Sequence, residues 1–188
     1  MRYSATHKQE TREKLLNSSR AIAKKEGFDS TGVDTFMSSI GLTGGAFYSH
    51  FGSKDELFAA MIERELDLSI DMLAGDDSAP QDLVAKRLRS YLSTYHASHP
   101  EEGCVLPTLG PEIARASPKV KAHVERSLKR LHGAWAERLG DNDAAWAVIA
   151  QCVGALIVAR VVESERTRQE ILASSRRFLE KAQQDVQK

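Results

Sequence analysis

The reactive side chains of this 188-residue chain include two cysteines and six histidines, and one group of them lies close together in sequence. His96, His99 and Cys104 offer two imidazoles and a thiolate, the donor types of a Zn²⁺ site. No fourth donor is spaced to close such a site, so the histidines read as satisfied or surface groups and no metal is expected. Cys104 admits two readings. As a reactive thiolate it needs partial exposure and a lowered pKa, which His99 or a helix N-terminus supplies; as a small buried hydrophobe it needs neither, and Glu101 and Glu102 favour the second reading by raising the pKa. Cys152 lies in an apolar run and reads as structural. Ser49 and His50 are sequence neighbours whose side chains diverge on a helix, and G-x-G-x-x-G, H-E-x-x-H, G-x-S-x-G and Walker patterns are all missing from the sequence. The chain is therefore not expected to be an enzyme or to carry a cofactor.

The second chemistry is electrostatic. Lys and Arg number 26, and so do Asp and Glu, so net charge by itself names no partner. Residues 1–25 nevertheless hold Arg2, Lys8, Arg12, Lys14, Arg20, Lys24 and Lys25 against only Glu10 and Glu13. A basic end on a neutral chain suits contact with a polyanion, or a solvated amphipathic helix. Two cysteines make no disulfide framework, and MRYSATHKQETREK has no apolar signal-peptide core, so a cytoplasmic protein is expected. Residues 146–162 are apolar but include Gln151 and Arg160. At about 17 residues they read as a buried helix, not a membrane span.

These residues have to be positioned by helices, because no stretch alternates as a strand does. Leu15, Leu16, Ser19, Ile22 and Ala23 line one face of a first helix that stops at Gly27, a left-handed cap over which Phe28 folds back. Val33, Phe36, Met37 and Ile40 mark a short second helix broken at Gly41. Thr43 caps a third over residues 44–50, with Ala46, Phe47 and Phe51 inward, which completes a helix, glycine turn, helix unit. Ser53 to Glu56 spell a capping box for a long helix through Leu57, Phe58, Met61, Ile62, Leu66, Ile70 and Leu73. Residues 75–80 form a polar linker, and Val84, Leu88, Tyr91, Leu92, Tyr95 and His99 mark one further helix. Pro100, Pro107, Pro111 and Pro118 allow only short, broken helix between them. Ser117-Pro118 starts a helix that runs to Gly140, and two more cover about 143–165 and 167–184. The first of these is apolar nearly all round, so part of its cover is expected from a second subunit.

The run Gly41-Leu42-Thr43-Gly44-Gly45-Ala46-Phe47-Tyr48-Ser49-His50-Phe51-Gly52-Ser53-Lys54-Asp55-Glu56-Leu57 resembles the signature of the TetR family of bacterial regulators, and the likeness extends over residues 11–61. It implies an all-α protein of about nine helices. Residues 1–53 would form a helix-turn-helix DNA-binding domain, and residues 54–188 a helical effector-binding and dimerisation domain. It implies a repressor that binds a palindromic double-stranded operator as a homodimer, paired through the last two helices and released by a small apolar or electrophilic effector, with no membrane partner. A helical protein-interaction module with no specific DNA target is the alternative.

By family position, Thr31, Thr43, Gly44, Gly45, Ala46, Tyr48, His50 and Lys54 would contact DNA, mostly through phosphates that hold the reading helix in register. Met37 and Ile40 stand where the family often has Ala, and Gly44 offers no side chain, which leaves base reading to Thr43, the Ala46 methyl, backbone groups or DNA shape. Arg2 and the basic residues after it read as a disordered start or, in the second place, as a minor-groove arm. In the sensing half, Cys104 sits where a subset of the family answers electrophiles or oxidants. By family position Tyr91, Tyr95, Trp135 and His123 would line a pocket suited to a flat apolar ligand, while as residue types such aromatics read first as core.

Overall fold

The computed structural model describes residues 5–74 and 81–186, with side chains over 6–71 and 85–181. Arg2, the 75–80 linker and the side chains of Leu73 and Val84 lie outside the described residues. Every regular element among the described residues is helical. The α-helices are α1 (Ala5–Glu26), α2 (Val33–Ser38), α3 (Lys54–Ala74), α4 (Gln81–Tyr91), α5 (Thr94–Ser98), α6 (Leu106–Arg115), α7 (Pro118–Leu139), α8 (Asn142–Arg160) and α9 (Glu165–Val186). Two 3-10 segments, Gly44–Ser49 and Pro100–Glu102, complete the order.

Local chemistry sets the boundaries. Gly27 stands at φ +86°, a conformation open to glycine at no steric cost, and it stops α1 so that Phe28 turns inward and becomes 2% exposed. At α3 the Glu56 amide donates to Ser53 Oγ at 3.1 Å, and the Glu56 carboxylate reaches back to the Gly52 N–H at 2.8 Å. Ser117 precedes Pro118 at the start of α7 but makes no side-chain capping bond.

Two boundaries differ from expectation. The helix predicted through Tyr91 and His99 breaks at residues 92–93, because the Ser93 hydroxyl accepts from the His96 N–H at 3.1 Å and restarts the helix, while Arg176 takes the Leu92 carbonyl. The all-apolar helix ends at Arg160 instead of near Glu165. There the Arg168 guanidinium takes the carbonyls of Ala159 and Val162 at 3.2 and 3.1 Å, and Ser164 opens α9.

The packing makes two apolar cores. The first joins α1, α2, the Gly44–Ser49 turn and the front of α3 around Phe36, Met37, Phe47, Phe51 and Ile62, and it takes in Val105, Leu109 and Ile113 from the 105–113 stretch and Val120 and Val124 from α7. The second joins α4, α5, α7, α8 and α9 around Tyr91, Leu131, Trp135, Cys152 and Leu156. α8 is long and apolar enough to cross a membrane by length and composition, yet it packs between α7 and α9 and buries Ala145, Val148, Cys152, Ala155 and Leu156.

The start of α8 rests on Asp141, whose carboxylate accepts from the amides of Asp143 and Ala144 at 2.8 and 3.0 Å. Replacing Asp141 by Ala should cost about 1 kcal/mol, a fall of roughly 2–4 °C in Tm. An unchanged melting curve would mean that this cap contributes nothing.

Candidate nucleic-acid interface and sensing core

The glycine-rich run folds into a tight turn on a rigid base. Ala46 N–H donates to the Thr43 carbonyl at 3.0 Å and His50 N–H to the Phe47 carbonyl at 2.8 Å, so the segment is 3-10 rather than the α-helix its sequence suggested. Thr43 stands at the N-cap, but its hydroxyl makes no capping bond. The Asp34 side chain packs close over Gly44: a Cβ there would lie 1.8 Å from Asp34 Oδ1, so the carboxylate would have to move aside. Beneath the turn, Phe47 stacks on Phe51 at 5.9 Å, and the Arg12 guanidinium covers Phe51 at 3.9 Å. Met37 and Phe36 are fully buried below it.

The eight residues expected at DNA are not equivalent. Thr43, Gly45 and Tyr48 are exposed, with Tyr48 at 69%. Gly44, Ala46 and His50 are half-buried, and Ala46 and His50 line the cleft beside the turn. The Lys54 ammonium donates to the Asp29 carbonyl at 3.0 Å and sits over the Phe28 ring, which leaves other N–H groups of its three for a phosphate. Thr31 is set apart: it is 5% exposed and its hydroxyl donates to the Gly27 carbonyl at 2.6 Å, so it closes α1 instead of pointing outward.

His50 lines a cleft of about 430 Å³ together with His7, Lys8, Lys14, Leu42 and Ala46. Burial lowers its pKa, and the nearby charges of Lys8 and Arg12 lower it further, which favours the neutral ring and packing over a cationic phosphate contact. Lys8 and Lys14 stand beside the glycine-rich turn. Charge counting includes them, but only the packing of α1 against the turn reveals their place.

The sensing residues separate in a similar way. Tyr91, Cys104 and Trp135 meet in the second core, all 1% exposed or less. Trp135 Nε1 has no hydrogen-bond partner, and the Tyr91 hydroxyl has the Cys104 thiol beside it but no nitrogen or oxygen partner. Burial drives the Tyr91 pKa well up, with Cys104 adding to the shift, and burial pushes the Cys152 thiol up to about 12. Cys104 has no exposed surface, so the reading as an accessible thiolate lacks its first requirement. Tyr95 lies outside this core: it is 56% exposed, stacks on His99 at 4.0 Å, and donates its hydroxyl to Glu102 at 2.6 Å. His123 is also elsewhere, on α7 with Nδ1 3.7 Å from Glu63.

Sequence reasoning missed the polar seam between the two cores. His96 is 6% exposed; Nδ1 donates to the Tyr91 carbonyl at 2.7 Å and Nε2 accepts the Cys104 N–H at 2.9 Å, which fixes one neutral tautomer. Arg160 reaches the carbonyls of His96 and Ala97 and the hydroxyl of Thr108 at 3.0, 3.2 and 2.7 Å. On the other side, Lys24 of α1 is buried, pairs with Glu65 Oε2 at 2.6 Å and donates to the Gly103 carbonyl at 2.9 Å. Arg20 Nε lies 2.8 Å from Glu65 Oε1, near enough for charge attraction though not aligned as a hydrogen bond. The only sequence signal was the pair of i, i+4 basic residues on the first helix, which reads more simply as solvated surface.

Residues 15–61 match the family model described as "Bacterial regulatory proteins, tetR family". An uncharacterized HTH-type transcriptional regulator in the lacX 3' region of Lactococcus lactis subsp. lactis is 23% identical over 166 residues, covering 81% of this chain and 85% of that protein. Among solved structures, a TetR transcriptional regulator from Chloroflexus aurantiacus J-10-FL superposes with a TM-score of 0.76 at 19% identity, over 93% of this chain and 96% of that one. The reduced form of NemR from E. coli superposes with a TM-score of 0.71 at 19% identity, over 88% and 95% of the two chains.

The buried imidazole gives the second core a pH signature. Burial lowers the His96 pKa from 6.5 to about 4. The unfolded chain therefore takes up a proton below pH 6.5 that the folded chain refuses. Stability present above that pH is lost as pH falls toward 4, on the order of 3 kcal/mol in all. In urea melts at pH 7 and 4.5, His96→Gln should lose less stability on acidification than the parent; equal losses in both proteins would remove His96 from the account.

Proposed function

We propose that this chain, which belongs to the TetR family of bacterial transcriptional regulators, is a repressor that binds a palindromic operator as a homodimer and leaves it when a small apolar effector enters the sensing core. It acts in the cytoplasm, where its operator lies, with residues 1–53 as the DNA-binding domain and residues 54–188 for sensing and dimerisation. The observation that carries this reading is the exposed turn of Thr43, Gly45 and Tyr48 on a rigid aromatic base, flanked by Lys8 and Lys14 of α1. Tyr48 and Lys54 bind phosphates on either side of the turn and hold it in the major groove, while Thr43, the Ala46 methyl and backbone groups meet the base edges.

Support for the dimer comes from α8 and the segment after it, where Ile157, Val158 and Val161 are 42–77% exposed, and from Phe178 on α9 at 63%. An outward apolar face on the last two helices suits self-pairing, which sets the spacing of two reading turns. Support for the effector comes from Nε1 of Trp135, buried without a partner, and from the buried Tyr91 hydroxyl, whose polar neighbour is the Cys104 thiol; a flat ligand bearing an acceptor would satisfy the indole. Binding that favours a dimer of different spacing lowers operator affinity by the same free energy. An electrophile reaches Cys104 only after the chain around it opens.

Duplexes selected from a random pool by the protein supply the operator. Tyr48→Ala and Lys54→Ala should each weaken operator binding about tenfold without changing the dimer mass, and the parent's affinity should fall steeply with salt. Unchanged affinity in both variants, or binding indifferent to salt, sinks the assignment. For the electrophile route, N-ethylmaleimide should release the parent slowly and leave Cys104→Ser bound; equal release of the two rules out Cys104 as the sensor.

A further inference from the structure

The DNA-reading unit and the sensing unit are fastened at the end of α1 and at the residues just after it, where an exposed Arg115–Asp29 pair at 3.3 Å joins two contacts that are more buried. The Lys24 ammonium, its side chain 1% exposed, donates to the Gly103 carbonyl at 2.9 Å while Glu65 neutralises it. The Phe28 N–H donates to both carboxylate oxygens of Glu112 at 3.1 Å. Just beyond Gly103, the Cys104 N–H is held by His96 Nε2 at 2.9 Å, and the other nitrogen of that ring is bonded to the Tyr91 backbone. The Gly103–Cys104 segment thus carries one bond to each core. There is no slack on the sensing side: a Cβ on Gly103 would stand 2.2 Å from the His96 ring.

We propose that the Gly103 peptide is the coupling contact between the two units, and that Lys24 is a positioning residue through which it sets the orientation of α1. A buried ammonium has no water to fall back on. If the Gly103 carbonyl moves, Lys24 either follows or loses an obligatory partner, so the displacement passes into α1 instead of being absorbed. α1 carries Lys8 and Lys14 beside the reading turn, so its movement changes the groove-facing surface directly. A shift at Tyr91 or Cys104, in the core proposed to take the effector, reaches Gly103 through His96 in one step.

A double-mutant cycle tests this. Gly103→Ala crowds the fixed His96 ring and displaces the Gly103 carbonyl. The paired substitution Lys24→Met with Glu65→Leu removes both buried charges together, leaves no orphan ion and frees Arg20 to turn toward solvent. Gly103→Ala should weaken binding to the selected operator about tenfold in the parent and less than twofold in the background that lacks the buried pair. The operator arm rests on the DNA-binding reading above. A second arm does not: amide exchange across α1, followed by mass spectrometry without DNA, should quicken with Gly103→Ala in the parent and stay unchanged in the background without the pair. Equal effects of Gly103→Ala in both backgrounds, or none in the parent, overturn the coupling. If selection yields no operator, the DNA-binding reading fails and the exchange arm still decides. Should Gly103→Ala not fold, His96→Gln, which loosens the same contact, takes its place in the cycle, and the same outcomes support or overturn the coupling.

Discussion

A lysine and a glutamate buried side by side constrain the whole molecule. Lys24 and Glu65 sit where the first helix crosses α3, their side chains only 1% and 3% exposed. An ion pair so placed must have its remaining hydrogen-bonding capacity met by protein, because water is excluded. The Gly103 carbonyl meets it on the lysine side, which draws a connection from the other half of the chain onto α1. Val105, Leu109 and Ile113 then enter the core of the DNA-reading unit, and the two units share a wall. A wholly apolar contact here would tolerate sliding. A charge with one specific carbonyl as partner does not.

What was legible in the sequence is what depends on neighbours in the sequence. Gly27 with Phe28, and Ser53 with Glu56, each hold their partners within a few residues, and the structure contains them nearly as read. The break after Tyr91 combines a local signal, the Ser93 cap on the His96 N–H, with a distant one that the sequence hides: Arg176, 84 residues beyond Leu92, takes its carbonyl. Lys24 was hidden for the same reason, since its carbonyl partner lies 79 residues away. On a helical projection it joins a basic face that reads as solvated. One local signal was outweighed by periodicity: the pattern put Tyr91 and Tyr95 on one helix, whereas the Ser93 cap turns the chain so that Tyr91 and His96 face inward and Tyr95 outward.

The neutral total charge resolves into local arrangements with different roles. Arg20 and Lys24, two of the seven basic residues before residue 26, are committed inside the fold to Glu65, and Arg12 lies over Phe51. Lys8 and Lys14 remain at the cleft beside the reading turn. The electrostatic surface offered to a polyanion is therefore smaller than the count suggests but better placed, since fixed charges beside the turn contribute at short range, where salt screens them least.

A small reading surface also explains why rigidity matters here. Gly44 offers no side chain, with the Asp34 carboxylate lying where a Cβ would stand, and Thr31 is committed to Gly27. A surface of Thr43, Gly45, Ala46 and Tyr48 offers few base contacts, each worth about 1–3 kcal/mol of discrimination when well aligned. Discrimination built from so few contacts depends on register, and register depends on everything beneath the turn: the Phe47–Phe51 stack, the Arg12 cover, and α1 fixed by Lys24. A site with many strong contacts would survive a small tilt of α1. This one would lose most of its selectivity, so the same buried lysine that holds the fold also makes the reading turn responsive to a change in the sensing half.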